Sequence, residues 1–531
     1  MKIDVNVLSG NVDTNYDAFN GVVNTFSITP EAGKTVITMA IPMVDIHGFW
    51  YCNMNTSQLQ LMWKVDFTSA FNHGMPYLAF FNLERQLTCA IATDNLTDDT
   101  AFSAKLNQQE CTYDITIVVT GNQPFTLTVD RRYEISFQQS VAEWRKSVMP
   151  ELPEFPAGAW EPVFCTWYAV HGEVTAKWVE SQMRKVKALG FSTFIVDDGW
   201  CYDESKRVTP ETLVNWYNRI GDWEISEVKF PDFKEHVKRV QDIGLKYLLW
   251  VAPHFFGVDS ELYRQHPEWT IGNLHEGCSH LNIKCRDAVD LISEKLVKLA
   301  SDNNLDGLKI DFIDVVSPSA EDPIGRDNRV LIEKLSNGLR GNAPDSLIEF
   351  RQGYATLSML PYATQFRAGD VPFDWMMNFR RLVDLRLALG DGVPVHADPA
   401  YWSPDEYPVN VARHMMVMFL GVPMLSMDVN TMPAEHLAIV KFYLDLYQEK
   451  QSLLNYGHWS IIFSSGNAGV AMVENENEML AVIMDGSLLP KVGQASAGRK
   501  LTLLNVSADT LCLNECEAAP GDTAFLDSSE V

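Results

Sequence analysis

Residues 194–200 read FIVDDGW: three apolar side chains run directly into Asp197 and Asp198, followed by a glycine and a tryptophan. A buried strand that ends on two adjacent carboxylates carries repulsion and desolvation, so that end must meet a polar environment. In a parallel (β/α)8 barrel the carboxyl ends of the strands open on a pocket, and acids placed there project into it while the strand body stays buried. The stretch therefore asks whether its neighbours in sequence repeat a strand-then-helix rhythm.

They do. Over residues 151–451 eight candidate strands follow one another: VFCTWY (163–168), TFIVDD (193–198), KYLLWVAP (246–253), DGLKIDF (306–312), LIEFR (347–351), TQFRAGD (364–370), VPVHAD (393–398) and VPMLSMD (422–428). Most precede a helical period, as in EVTAKWVESQMRKVKALG, whose apolar spacing suits one buried face and whose Gly190 suits a helix stop. Eight such units predict a (β/α)8 catalytic barrel at the centre of a multidomain α/β protein. On its N-terminal side, residues 1–150 alternate apolar and polar positions in segments such as KTVITMAIPMV and YDITIVVTGN, separated by turn residues, which reads as an antiparallel β-sandwich. On its C-terminal side, residues 452–531 return to strand patterning with HWSIIFSS, AVIMDG and LTLLNV, the signature of a small β-domain.

Composition narrows the partners. The 531 residues, 46% of them hydrophobic, suffice for a large core and for roughly three domains at about 150 residues each. A net charge of −27 disfavours nucleic acid phosphates and anionic lipid. The nine cysteines are scattered and without metal spacing, so they read as free thiols. No apolar run of membrane-spanning length occurs and the start, MKIDVNVLSG, lacks the pattern of a secretion signal, which makes a cytoplasmic location the expectation. With 14 Trp, 17 Tyr and 27 Phe there are many flat apolar faces of the kind that pack on sugars. The fitting partners are a small carbohydrate and, in an oligomer, further copies of the chain.

Polar residues recur at the strand ends. The fourth strand ends on Lys309 and Asp311, which share a face at strand spacing, and the sixth on Arg367 and Asp370. Trp250, Asp398 and Asp428 also stand at or near strand ends. Any one of these acids serves equally well as a helix cap; the set, at corresponding positions, points to a site.

The ordered combination FSTFIVDDGW, GDWEISEVKFPDFKEHVKRVQDIGLKYLLWVAPH, DSELYRQHPEW and LDGLKIDFID resembles the retaining α-galactosidases of glycoside hydrolase family 36, in the clan that also holds families 27 and 31. The resemblance covers roughly residues 160–450 and implies an exo-acting α-glycosidase without metal or organic cofactor. It implies Asp311 as nucleophile, Asp370 as acid/base, Lys309 against the substrate hydroxyls, Asp197 and Asp198 as acceptors of galactose hydroxyls, and Trp223 and Trp250 as pocket walls. Glycoside cleavage with retention makes the same demand, two carboxyl groups roughly 5 Å apart. Lys309 is expected to hold Asp311 ionised, and desolvation to leave Asp370 its proton.

Two segments depart from the family. On strand five, where it places small residues near the sugar 2-hydroxyl, this chain reads EFRQGYATLSML, bringing Arg351 and Gln352. Around the acid/base it reads RAGDVPFD, similar to the family 31 form, which puts Arg367 beside Asp370. A counterpart of the arginine that the family places before strand four is not evident. The same mechanism on another glycon (α-N-acetylgalactosamine, β-L-arabinopyranose, α-glucose) is therefore the alternative, followed by a non-catalytic sugar binder and by a lyase or isomerase with Asp197, Asp198 and Asp311 around Mg²⁺ and Lys309 as base.

Overall fold

The computed structural model describes residues 5–527 apart from 9–10, 16–21, 32, 53–62, 320, 465–466 and 514–515. All eight expected barrel strands form: β1 (Val163–Cys165), β2 (Thr193–Val196), β3 (Lys246–Val251), β4 (Gly307–Ile310), β5 (Leu347–Arg351), β6 (Gln365–Arg367), β7 (Val395–His396) and β8 (Met424–Leu425). They pair in parallel in chain order, with β8 beside β1. Hydrogen bonds from Ala397 N to Val422 O (3.0 Å) and from Val422 N to Val395 O (2.7 Å) close the ring between β7 and β8. The strands are buried on both faces, which is why they read as apolar runs rather than as alternation.

Seven of the eight are shorter than their sequence patterns, and the reason lies in the residues that end them. Asp197 turns its backbone N–H to the Thr166 hydroxyl (2.9 Å) instead of the ladder, and Phe312, at φ 57°, breaks the extended run just after Asp311. Helices follow most strands, for example Ala176–Leu189, which stops at Gly190 in the left-handed region (φ 118°) as its sequence predicts. After β5 the crossover holds only short 3₁₀ turns, Gln352–Tyr354 and Leu357–Met359.

Before the barrel lie two antiparallel sheets, of five and six strands. Lys34–Pro42 and Thr112–Thr120, the two segments whose alternation is clearest, pair with each other over their full length. Ile37, Ile115 and Ile117 from one sheet meet Leu78, Ile91 and Leu127 from the other in one apolar layer. The helix Phe137–Val148 is not foreseen by the strand reading of this region. Its Phe137, Val141 and Trp144, at helical spacing, are buried in the cluster that includes the barrel, and Ser136 caps it by accepting from Gln139 N (3.1 Å). After the barrel, the five-stranded C-terminal sheet contains one parallel pair, Glu478–Ile483 with Lys500–Asn505, made by a crossover through the helix Leu489–Ser496 that strand patterning alone does not reveal.

The N-terminal sheets reach the rim of the barrel where β4 and β5 end. Asn72 donates to the carbonyl of Ile313 (2.8 Å), and the hydroxyls of Thr356 and Ser358 donate to that of Phe71 (3.2 and 2.6 Å). The Asp99 carboxylate accepts the backbone N–H groups of Ser319 (3.0 Å), Ile324 (3.2 Å) and Gly325 (2.8 Å), which tie the loop after β4 to the start of the helix Gly325–Asn342. Arg326 pairs with the adjacent Asp98 (2.9 Å). Replacing Asp99 by Ala strands these donors in a buried place and should cost about 2 to 4 kcal/mol of stability. A chemical denaturation midpoint unchanged in Asp99→Ala would show that the loop is held by other contacts.

Candidate active site

The rim of the barrel gathers six acids, Asp197, Asp198, Asp311, Glu349, Asp370 and Asp398, around Lys309, Arg351 and Arg367. Lys309, projecting inward from β4, reaches Asp197 Oδ2 at 2.5 Å and Asp311 Oδ2 at 4.0 Å. Trp250, at the end of β3, donates its indole N–H to the same Asp311 oxygen (3.0 Å). The other oxygen, Oδ1, accepts from Arg351 Nη1 (3.1 Å) and from the backbone N–H of Phe312 (2.8 Å). Burial by itself would raise the Asp311 carboxyl, but Arg351, Lys309 and Arg367 outweigh it and hold the group below the usual carboxylate range.

Arg351 spans two acids, because its Nη2 donates to Asp370 Oδ2 at 2.8 Å while Nη1 holds Asp311. Its guanidinium lies over the Phe312 ring, 5.2 Å from the centroid. Asp370 receives a second guanidinium: Arg367 Nη1 donates to Oδ1 at 3.0 Å, and the same nitrogen contacts Asp398 Oδ1. Desolvation was the reason to expect a protonated Asp370. Its side chain is instead 45% exposed, and against the effect of burial the charges of Arg351, Arg367 and Lys309 hold it well below the ordinary range, so in this arrangement it is ionised. Asp398 sits deeper, where burial raises it to about 7 against the pull of Arg367; it accepts from the Tyr168 hydroxyl (3.0 Å) and Val371 N (2.7 Å).

Asp198 is likewise pushed up to about 7 by burial, with Oδ2 accepting from the Trp216 indole (2.6 Å) and Oδ1 buried without a partner among the described residues. Trp223 packs 6.0 Å from Trp250 and 6.3 Å from Trp200, centroid to centroid, at the strained φ of 53°. Its indole nitrogen is also buried and unpartnered. A donor and an acceptor left unmatched in this way each cost about 1–3 kcal/mol.

The fold thus brings together Asp197, Lys309, Asp311, Trp250, Arg351, Asp370 and Arg367 through direct contacts, with Asp198 next to Asp197 in the chain and Trp223 against Trp250. Gln352 turns to β6, where its carbonyl accepts from Gly369 N (2.9 Å). Asp428 is a local cap, accepting from Asn430 N (2.9 Å) and Gln182 Nε2 (3.1 Å). Tyr168, Trp216 and Glu349 were not singled out from the sequence. Tyr168 lies in the short helix Trp167–Val170, just past the end of β1, and Trp216 in a loop without periodicity; only the position of Glu349 inside a strand otherwise apolar up to its end gives a signal. The three acids named as Mg²⁺ ligands do not form a cation site, since the Lys309 ammonium stands between Asp197 and Asp311. Among the described residues no group of three or more His, Cys, Asp or Glu side chains is placed to hold a metal ion.

Residues 154–328 match the melibiase family model. The α-galactosidase of Escherichia coli is 25% identical over 180 residues, 32% of this chain and 24% of that protein; α-galactosidase AgaA of Geobacillus stearothermophilus is 30% identical over 108 residues, 20% of this chain and 13% of that one. The matched segments are thus a quarter or less of the curated relatives' length. In structure the chain is similar to the family 36 AgaA enzyme, with a TM-score of 0.64 at 14% identity over 90% of this chain and 78% of that one. It is also similar to TtGalA, an α-galactosidase from Thermus thermophilus in complex with stachyose, at 0.59 and 16% over 82% and 99%. The fold is therefore that of the family 36 α-galactosidases, and the resemblance read from the motifs holds.

The raised Asp198 carboxyl has a consequence for stability. The folded state favours its neutral form, so this contribution is present below pH 3.8 and is lost as pH rises through about 7. Asp198→Asn, which keeps an acceptor for Trp216 but cannot ionise, should lessen the fall in stability between these limits by about 3 to 4 kcal/mol. Denaturation midpoints measured across that range in both proteins test it, and parallel curves would show that Asp198 does not titrate there.

Proposed function

We propose that the chain is a retaining, exo-acting α-glycosidase of the α-galactosidase type, hydrolysing small α-linked oligosaccharides or glycosides. The observation that carries the reading is the single guanidinium of Arg351 in contact with both Asp311 and Asp370. Two carboxylates within the span of one such group suit direct attack, which needs about 5 Å, better than the gap of about 6.5–9.5 Å that admits a water.

Asp311, ionised under Lys309, Arg351 and the Trp250 N–H, attacks the anomeric carbon as the glycosidic C–O bond breaks. The leaving oxygen takes a proton from Asp370, which must first have gained it. In the second half Asp370, now a base, removes a proton from water as that water attacks the glycosyl ester and frees Asp311. Asp197 and Asp198 accept hydrogen bonds from the glycon hydroxyls, and Trp223 and Trp250 offer it apolar faces. The melibiase match, the α-galactosidase relatives and the barrel-rim cluster all support galactose as the glycon. Arg351 is the feature that argues for testing the other three sugars beside it. Among the described residues no helix is long and apolar enough to cross a membrane, which accords with our placing the enzyme and its substrate in the cytoplasm.

A panel of aryl glycosides read by ¹H NMR tests both halves: the α-galactoside should be cleaved fastest, and the first sugar released should be the α-anomer. Release of the β-anomer first would refute retention. Asp311→Ala should lose several orders of magnitude in kcat. In Asp370→Ala natural glycosides should suffer far more than activated aryl ones, with azide giving a glycosyl azide of unchanged configuration; equal loss on both would remove Asp370 from the acid role.

A further inference from the structure

The double grip on Asp370 poses a chemical problem. To protonate a leaving oxygen the group must carry a proton, yet each of its two oxygens already accepts from a guanidinium, Oδ2 from Arg351 and Oδ1 from Arg367. One arginine has to let go. Arg367 is 3% exposed and bound to Asp398, with Glu349 at 3.8 Å, so it stays. Arg351, 21% exposed at the edge of the site and covering the buried Asp311, is the one free to swing out. A neutral sugar offers hydroxyls, which cannot replace two carboxylates as partners of a guanidinium; an oxyanion can.

A further arginine waits beside this place. Arg381, on the helix Trp375–Leu389, lays its guanidinium against the backbone of Gly369: an ideal Cβ at that position would stand 1.9 Å from Nη1, so the glycine of RAGD is what makes room for it. Gln352, through Gly369 N, pins the same stretch. Arg381 lies in the fields of Asp398 and Asp370 but makes no ion pair among the described residues, and its Nε is buried without a partner. Since Asp370 hands its proton to the leaving oxygen, Arg351, which contacts Asp370, and Arg381, which packs on the adjacent Gly369 within its field, stand toward the leaving-group side of the scissile bond.

We propose that Arg351 and Arg381 together bind an oxyanion carried by the leaving group close to the scissile oxygen, and that drawing Arg351 away from Asp370 is how such a substrate readies the acid. This rests on the hydrolase reading above and names its substrate class: an α-glycoside whose aglycone bears a carboxylate or a sulfur or phosphorus oxyanion. Freed of Arg351, Asp370 takes a proton from solvent and gives it to the departing oxygen, and no further reactant is needed. Arg351 and Arg381 are positioning and specificity residues here, with Asp311 and Asp370 alone doing the bond chemistry.

The test compares three aryl α-galactosides, 3-carboxyphenyl, 3-sulfophenyl and the neutral 3-(methoxycarbonyl)phenyl, on the full chain. The neutral ester is a better leaving group than the carboxylate, so a simple hydrolase prefers it. The inference expects at least one oxyanion substrate to be favoured in kcat/KM by about tenfold or more, the order of the two showing which oxyanion fits. Arg381→Gln should bring the charged-to-neutral ratio to about one while leaving turnover of the ester, a change that a general structural defect does not produce. Arg351→Gln should lose the charge preference as well, but with slower turnover of the ester too, because Arg351 also holds Asp311 ionised; Arg381→Gln therefore decides the matter. A wild-type preference for the ester, or a preference untouched by Arg381→Gln, overturns the proposal. Tryptophan fluorescence titration with the same glycosides separates it from the reading it rests on. Turnover without charge preference sinks the oxyanion site and leaves the hydrolase; tighter oxyanion binding without turnover sinks the hydrolase and leaves the site; equal binding without turnover sinks both.

Discussion

The architecture turns on a balance of buried charge at one end of the barrel. Six acids meet three cations there, and only Arg351 and Asp370 among them have much access to solvent. Removing one partner of a buried pair costs about 3–5 kcal/mol, because the other charge is left uncompensated. The cluster is therefore held as a network: Lys309 commits Asp197 and steadies Asp311, Arg367 commits Asp398 and one oxygen of Asp370, and Arg351 completes both remaining acids. Three carboxyls receive too little compensation and are raised by burial, Asp198 and Asp398 to about 7 and Glu349 as well. The same barrel rim thus holds strongly ionised and nearly neutral carboxyls side by side, the separation that acid–base chemistry exploits.

Holding such a network requires stiff surroundings, and part of the stiffness comes from outside the barrel. The loop after β4, which carries Asp311 toward the helix Gly325–Asn342, is stapled by Asp99 and Asn72 from the N-terminal sheets. The turns after β5 are fastened to the Phe71 carbonyl by Thr356 and Ser358. β4 and β5 carry Lys309 and Arg351, so the N-terminal sheets buttress the two strands from which the cations of the site project. That gives this region a mechanical part in the site although, among the described residues, none of its side chains contacts the carboxylates.

Much of this was written in the chain. Eight apolar runs with acids, lysine or arginine at their ends announce parallel strands buried on both faces with a polar rim, because nothing else explains charges placed at the close of apolar runs. The DDGW and KID segments carry Asp197, Asp198, Lys309 and Asp311, which the fold brings to one rim. The helix Phe137–Val148 and the crossover helix Leu489–Ser496 escaped because each sits in strand-rich surroundings, where a short helical period is masked by neighbouring alternation.

What the sequence determined by itself is the set of groups at the rim: strand length and apolar patterning dictate which residues stand where a strand stops. What the tertiary structure alone decided is their pairing and protonation. Arg351 and Asp370 lie nineteen positions apart and Arg351 and Asp311 forty, and no local pattern says that one guanidinium will fall between the two acids. For the same reason the expectation of a protonated Asp370 failed: a carboxyl's charge follows the field of neighbours brought to it by β4, β5 and β6, not the residues beside it in the chain. Gly369 makes the point in miniature, an ordinary turn glycine in the sequence that proves, once folded, to be the space in which Arg381 lies.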